Sequence, residues 1–192
     1  MPTVTAIRNG NWSDEVAGTS PWGGTKPAAG NDVALASFTV TLNESTAALG
    51  TITAATTGNI TTGATNWTIT ATTITGGTNS GIIIKTGSSG TLTIACTSIT
   101  GGSGAAAYGV SHTGSSTSLV TITGDIIGGS GATTAYGAIN SGGGTLTVNG
   151  NVTGGSGAAT AYGVYQSGAS TCNINGNITG SATGLGAYIL GG

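Results

Sequence analysis

The sequence predicts an all-β fold: a single-stranded, right-handed parallel β-helix (β-solenoid) with coils of about 26 residues, opened by an N-terminal cap or attachment segment. Three observations predict it. A Gly-Gly pair recurs at Gly101, Gly128 and Gly154, in steps of 27 and 26. Tyrosines recur at Tyr108, Tyr136, Tyr162 and Tyr188, in steps of 28, 26 and 26. Between these marks the apolar residues alternate with period two, the pattern of a strand with one buried face. A fixed period of this length marks a stack of supersecondary units, none of which can bury its apolar side alone.

Residues 1–45 differ from the rest. They hold two of the three Trp, all three Pro and six of the eight charged residues. A solenoid must cover its first coil, because open strand edges recruit other chains. The segment therefore reads as a cap, with Trp12 and Trp22 plugging the core and Asp14 and Asp32 beside them. It also reads as an attachment region that docks the solenoid to a larger assembly.

The string from Arg8-Asn9-Gly10-Asn11-Trp12-Ser13-Asp14 through Pro21-Trp22-Gly23-Gly24 to Asn31-Asp32-Val33 and Val40-Thr41-Leu42 resembles the opening of many β-helix proteins of bacteriophage virions and bacterial surfaces. It departs from that pattern at Glu15-Val16-Ala17-Gly18 and in the shifted Trp22. The resemblance covers residues 7–42 and implies a β-helix displayed on a large particle or surface. It implies no catalytic residue.

The solenoid proper is assigned to 46–192, with degenerate coils over 46–91 and regular coils over 92–192. In the degenerate part the strands are Thr51-Ile52-Thr53, Asn59-Ile60 and Trp67-Thr68-Ile69-Thr70, with a coil at 81–85 that lacks the Tyr. In the regular part each coil opens on an alternating strand: Leu92-Ile94, Val120-Ile122, Leu146-Val148, Cys172-Ile174. Stacking such coils predicts two inward ladders, Ile69-Ile94-Ile122-Val148-Ile174 and Ile74-Ile99-Ile126-Val152-Ile178. Each fully buried member contributes roughly 1.5–3 kcal/mol. The first regular coil carries one extra residue before Ile99, which reads as a bulge. Gly124, Gly150 and Gly176 read as bends where a side chain would not fit. A Gly-Gly-Ser-Gly turn follows, then a second short strand at 107–110, 135–138, 161–164 and 186–189, then a Ser/Gly/Thr turn. The last coil ends on Leu190-Gly191-Gly192 without an evident cap.

The chemistry is sparse. Net charge is -2 and only Arg8, Lys26 and Lys85 are basic, so the footprint for nucleic acid or an anionic membrane is missing. No apolar run is long enough for a transmembrane helix, and the start has no export-signal pattern. In the repeats the charged residues are Lys85 and Asp125, with His112 the chain's one histidine. Asp14, Glu15 and Asp32 form the only conceivable carboxylate group, and Ser/His112/Asp125 the only conceivable triad. Solvated turn residues are the plainer reading of the latter. The glycine turns lack the Asp of calcium-binding nonapeptides and the Lys of phosphate loops, so no metal or cofactor is expected. Cys96 and Cys172 sit about three coils apart, too far for a disulfide, and read as small hydrophobes. The Thr-x-Thr strands resemble the threonine arrays of ice-binding solenoids, but the pairs decay at Thr93/Ala95, Thr147/Asn149 and Asn173/Asn175. The tyrosines read as a half-buried ladder, with a contact surface for sugars or a second chain as the alternative.

The resulting expectation is a non-enzymatic structural protein: a spike, head-decoration or fibre protein of a bacteriophage virion. By analogy with such projections it is a homotrimer, assembled in the host cytoplasm and mounted on a capsid or tail protein, with host glycans as a further partner. The rivals are a bacterial cell-surface adhesin or a self-assembling extracellular filament, and a glycan-binding or glycan-cleaving β-helix. The sequons at Asn11, Asn59, Asn66 and Asn151 matter only for an exported, glycosylated protein.

Overall fold

A computed structural model describes residues 1–78, 82–87, 89–131, 133–157, 159–182 and 184–190. The sequence expectations for Gly81, Gly191 and Gly192 lie outside these residues. The described chain is all-β, and its eighteen strands form two parallel sheets. The first sheet runs β1 (Thr3–Thr5), β3 (Asp32–Ala34), β5 (Ala48–Thr53), β7 (Trp67–Thr75), β9 (Thr91–Thr100) and β11 (Leu119–Ile127). It continues with β13 (Thr145–Asn149) and β14 (Val152–Thr153), then β16 (Thr171–Ile174) and β17 (Ile178–Thr179). The second runs β2 (Gly10–Asn11), β4 (Thr39–Leu42), β6 (Asn59–Thr62), β8 (Ile83–Lys85), β10 (Val110–His112), β12 (Ala138–Asn140), β15 (Val164–Ser167) and β18 (Ala187–Leu190). From β5 onward each coil gives one longer element to the first sheet and one shorter strand to the second. Every coil pairs in parallel with the next, which makes the stack a β-solenoid.

The register realises the ladders, which are buried up to the last coil, where Ile174 is half-buried and Ile178 exposed. Ile69, Ile94, Ile122, Val148 and Ile174 are successive partners. The second ladder reaches further than its repeat suggests: Val4, Val33, Ile52, Ile74, Ile99, Ile126, Val152 and Ile178 are in register from the first coil to the last. Facing them from the short strands are Val40, Ile60, Ile83, Val110, Ala138, Val164 and Ala187. The two sheets close on a single aliphatic core. The register also shows that β1 to β4, all within residues 1–45, are ordinary members of the two sheets. Their strands are short, so period two has little length in which to show itself.

Two local expectations have a visible cause. The register between β9 and β11 shifts between Thr123 and Asp125, where the Cys96-Thr97-Ser98 stretch carries its extra residue. Gly124 takes φ 136°, and a Cβ there would lie 2.2 Å from the Cys96 carbonyl oxygen. A side chain is excluded both by conformation and by the coil beneath.

The short strands begin later than predicted. β10, β12 and β15 start at Val110, Ala138 and Val164, so the preceding tyrosines lie outside them. The Ala-Tyr-Gly stretch packs instead against the glycine turn of the next coil: Gly129 and Gly155 donate to the carbonyls of Ala107 and Ala135 at 3.0 and 2.7 Å.

Candidate functional site

Four features stand out from the regular stack. The first closes the N-terminal end. Trp12 is 1% exposed and Trp22 7%, and their rings meet edge to face with centroids 5.0 Å apart. Trp22 Nε1 donates to the Trp12 carbonyl at 2.8 Å, so the indole dipole is satisfied while its ring is buried. Pro21 O accepts the Ile7 amide at 2.8 Å, and the Arg8 guanidinium donates to Gly18 O, so the loop between β2 and β3 folds back on the first coil. Asp14 stays local: its Oδ1 accepts from the Val16 amide at 3.0 Å. Asp32 Oδ1 accepts from Thr51 N at 2.7 Å and Thr51 Oγ1 at 2.9 Å, which holds its carboxyl below the usual carboxylate range. Lys26 pairs with Glu44 at 2.8 Å. Asp14, Asp32 and Glu44 are therefore spent on turn, coil and ion-pair contacts, while Glu15 is exposed on the loop after β2.

The second feature is a buried polar spine, which corrects the reading of His112 as a solvated turn residue. Thr62, Lys85, His112, Asn140 and Gln166 occupy one register position on successive short strands, two residues past the last aliphatic position. The alternation that sends Ile83, Val110 and Ala138 inward sends them inward too. Lys85, His112 and Asn140 are 0% exposed. Each reaches across its turn to groups that face the core. Lys85 Nζ donates to Gly63 O and, at 2.8 Å, to Ser89 O. His112 Nε2 shares a 3.0 Å hydrogen bond with Ser118 Oγ. Asn140 Nδ2 donates to Gly144 O at 3.2 Å and Thr171 O at 2.9 Å. Gln166 Nε2 donates to Ser170 O at 2.5 Å. Burial lowers the Lys85 pKa, and burial together with the Lys85 charge pushes His112 down to about 4. Thr62 Oγ1, His112 Nδ1 and Asn140 Oδ1 are buried without a hydrogen-bond partner. Asp125, the third member of the conceivable triad, lies on the outer face of β11. There its Oδ1 accepts from Asn151 N at 2.8 Å and Nδ2 at 3.1 Å.

The third feature is an aromatic stack that gathers all five tyrosines. Tyr108 and Tyr136 stack at 5.4 Å, Tyr136 and Tyr162 at 5.3 Å, and Tyr162 and Tyr188 at 4.9 Å. The sequence reading missed Tyr165, which stacks on Tyr136 at 5.1 Å and on Tyr188 at 5.8 Å, so two rings share the layer between those partners. Tyr188 is also not the positional copy of Tyr162. Its backbone pairs with Tyr165, and Leu185 follows Tyr162 in the ladder through the bond from Gly163 N to Leu185 O. The planes lie within 14° of one another, so the rings spend their faces on each other and present edges and hydroxyls outward. Tyr136 is 8% exposed, and the other four are half-buried.

The fourth feature is a surface groove of about 460 Å³ beside the stack. Its floor is the paired glycines of successive turns, and Ser103, Ser130 and Ser156 lie along it. The turn amides are consumed in coil-to-coil bonds, such as Ser130 N to Gly102 O at 2.9 Å and Ser156 N to Gly129 O at 3.0 Å.

Cys96 and Cys172 are free, half-buried thiols packed against the core. One threonine column is continuous, with Thr68, Thr93, Thr121 and Thr147 as consecutive partners; the second is broken at Ala95 and Asn149, and Leu119 stands between Thr91 and Thr145 in the column beside it. Among the described residues, no group of three or more His, Cys, Asp or Glu is placed to hold a metal ion, and no helix is long and apolar enough to cross a membrane. Comparison with protein-family models, curated proteins and solved structures finds no match.

Proposed function

We propose that this chain is a non-enzymatic structural protein, a rigid β-solenoid projection of a bacteriophage virion that decorates a capsid or tail. One observation carries the non-enzymatic part of this reading: most of the chain's few chemically capable side chains are engaged in building the stack. Lys85, His112 and Asn140 support turns from inside, Asp32 and Asp125 clamp the following coil, and Lys26 holds Glu44. What remains outward carries few charges and is rich in hydroxyls and amides, as suits a projection that must resist proteases. The virion assignment rests on the resemblance of residues 7–42 and belongs to the same proposal, as do a homotrimeric state and attachment through the Trp12/Trp22 end.

The experiment is immunogold electron microscopy of cells that carry the gene, with antibodies against the isolated solenoid. Gold on particles in the lysate supports the reading. Gold confined to the cell envelope overturns it in favour of a surface adhesin. A filament subunit is the second reading, and a specific observation favours it. Ile178, Leu185, Ile189 and Leu190 of the last described coil are 38 to 64% exposed, and an apolar strand edge of this kind can accept another chain. The stacked faces of the tyrosines weigh against a sugar platform.

A further inference from the structure

A cation buried without a carboxylate makes a fold sensitive to any second charge placed beside it. The spine has this arrangement at its centre. Lys85 and His112 are register partners on adjacent coils, and both are 0% exposed. The groups that face His112 can be named by element. Lys85 comes from β8 and Asn140 from β12. Ser118 lies just ahead of β11, and the Gly144 backbone just ahead of β13, so close that a Cβ there would meet His112 Nε2 at 2.9 Å. Beyond Asn140 lies the Cys172 thiol, at 3.7 Å. Four of the five acids belong to residues 1–45, and Asp125 lies on the outer face, where it holds Asn151. No carboxylate shares the spine with the two bases.

We propose that the spine is an acid-triggered release, in which a proton taken up by His112 opens the middle coils while the ends of the solenoid hold. The neutral ring fits its site, with one nitrogen bonded to Ser118 and the other, Nδ1, buried and unpartnered. Protonation turns both nitrogens into charged donors beside the Lys85 ammonium, and Nδ1 then needs an acceptor that its surroundings offer only through rearrangement. Relief comes when water enters at the turns after β8 and β10, which detaches Lys85 from Gly63 O and Ser89 O and His112 from Ser118. The first coil is held differently, by Trp12 and Trp22, so the opening begins in the middle. The sign follows from linkage. Folding lowers the proton affinity of His112, so the unfolded chain binds more protons. Stability is therefore complete above the ordinary histidine value of 6.5 and falls as pH drops towards about 4.

The test uses the whole protein. Its one histidine gives a single set of ring signals by NMR. The expected result is a ring that stays neutral well below 6.5 and gains its proton together with loss of hydrogen-exchange protection over 82–87, 110–118 and 138–145. Protection over 3–42 should persist to lower pH. H112Q keeps a neutral hydrogen-bonding group and is expected to hold the middle coils closed at about pH 4. K85M removes the neighbouring charge and should raise the His112 titration midpoint. A ring that titrates near 6.5 with the coils intact overturns the proposal. So does acid opening that is the same in H112Q as in the parent, or that starts at the termini. If H112Q does not fold, the titration and exchange of the unmutated chain decide alone.

Discussion

Replacing Gly129 by alanine should break the coil stack where it is tightest. An ideal Cβ at this position lies 1.6 Å from the Gly102 carbonyl oxygen of the coil below, with the Gly101 carbonyl carbon at 2.7 Å. Both neighbours are backbone, so no side chain can swing away. Relief requires the two turns to separate by more than an ångström. That separation removes the bond from Ser130 N to Gly102 O, now 2.9 Å, and strains the bond from Gly129 N to Ala107 O, now 3.0 Å. Two buried backbone bonds at about 1 kcal/mol each, plus about 1–3 kcal/mol for a group left unsatisfied, give a loss of roughly 3–5 kcal/mol. For a chain of this size that lowers the melting temperature by about 6–20 °C. The control is Gly63→Ala: nothing lies within 4 Å of its Cβ, and its φ is not in the left-handed range. It should shift stability by about 1 kcal/mol or less, with a sign set by the unfolded chain. Thermal unfolding followed by far-ultraviolet circular dichroism reads both. A Gly129→Ala variant that melts within about 2 °C of the parent would refute the argument that glycine is required there by coil-to-coil contact.

Other substitutions test the remaining features. Trp22→Ala removes a buried ring and leaves Trp12 without its edge contact. A loss of about 3–5 kcal/mol is expected by chemical denaturation, together with exposure of Trp12 to a fluorescence quencher. Asp32→Asn replaces a carboxylate that accepts two hydrogen bonds from Thr51. Folding depresses its pKa, so its contribution is present above the ordinary value of 3.8 and is lost as pH falls below it. The variant should accordingly lose the part of the acid transition that lies below 3.8, leaving the histidine window above it unchanged, as measured by melting temperature against pH. Cys96, whose pKa burial pushes up to about 11, should resist alkylation in the folded protein at neutral pH and react on unfolding, by mass spectrometry of the modified peptide.

The aliphatic ladders were legible because three signals agree: alternation, a constant period and glycine-marked turns. Nothing competes with period two in Val120-Thr121-Ile122 or Leu146-Thr147-Val148, so inward and outward sides follow directly. The polar spine was hidden by residue type. Ile83-Ile84-Lys85, Val110-Ser111-His112 and Ala138-Ile139-Asn140 continue the alternation into the core, but a lysine or histidine beside a Ser/Gly turn suggests solvent. The structure sends them inward because turn carbonyls such as Ser89 O and Gly144 O face the core and need donors. Tyr188 misled for an arithmetic reason. The turn after β17 is three residues shorter than the turn after β14, so a tyrosine from the Tyr165 position falls at the Tyr162 spacing. Of the candidate site, the placement of Trp12 and Trp22 together followed from their grouping in one segment. The distribution of Asp14 and Asp32 between a local turn and a neighbouring coil depended on register, which the short strands of that segment do not disclose.

The protein is a register-locked stack whose first coil is closed by Trp12, Trp22 and the loop that bonds Ile7. Trp12 and Trp22 thereby plug the end of the core on which an incoming copy would stack, while β1 and β2 remain the edge strands of their sheets. The most direct test is the mass of the native protein by light scattering, with electron micrographs of the same sample. The expected result is a discrete species, a small whole multiple of 18.1 kDa that stays constant as concentration rises. Open-ended fibres that lengthen with concentration would contradict it and place the chain among self-assembling filaments.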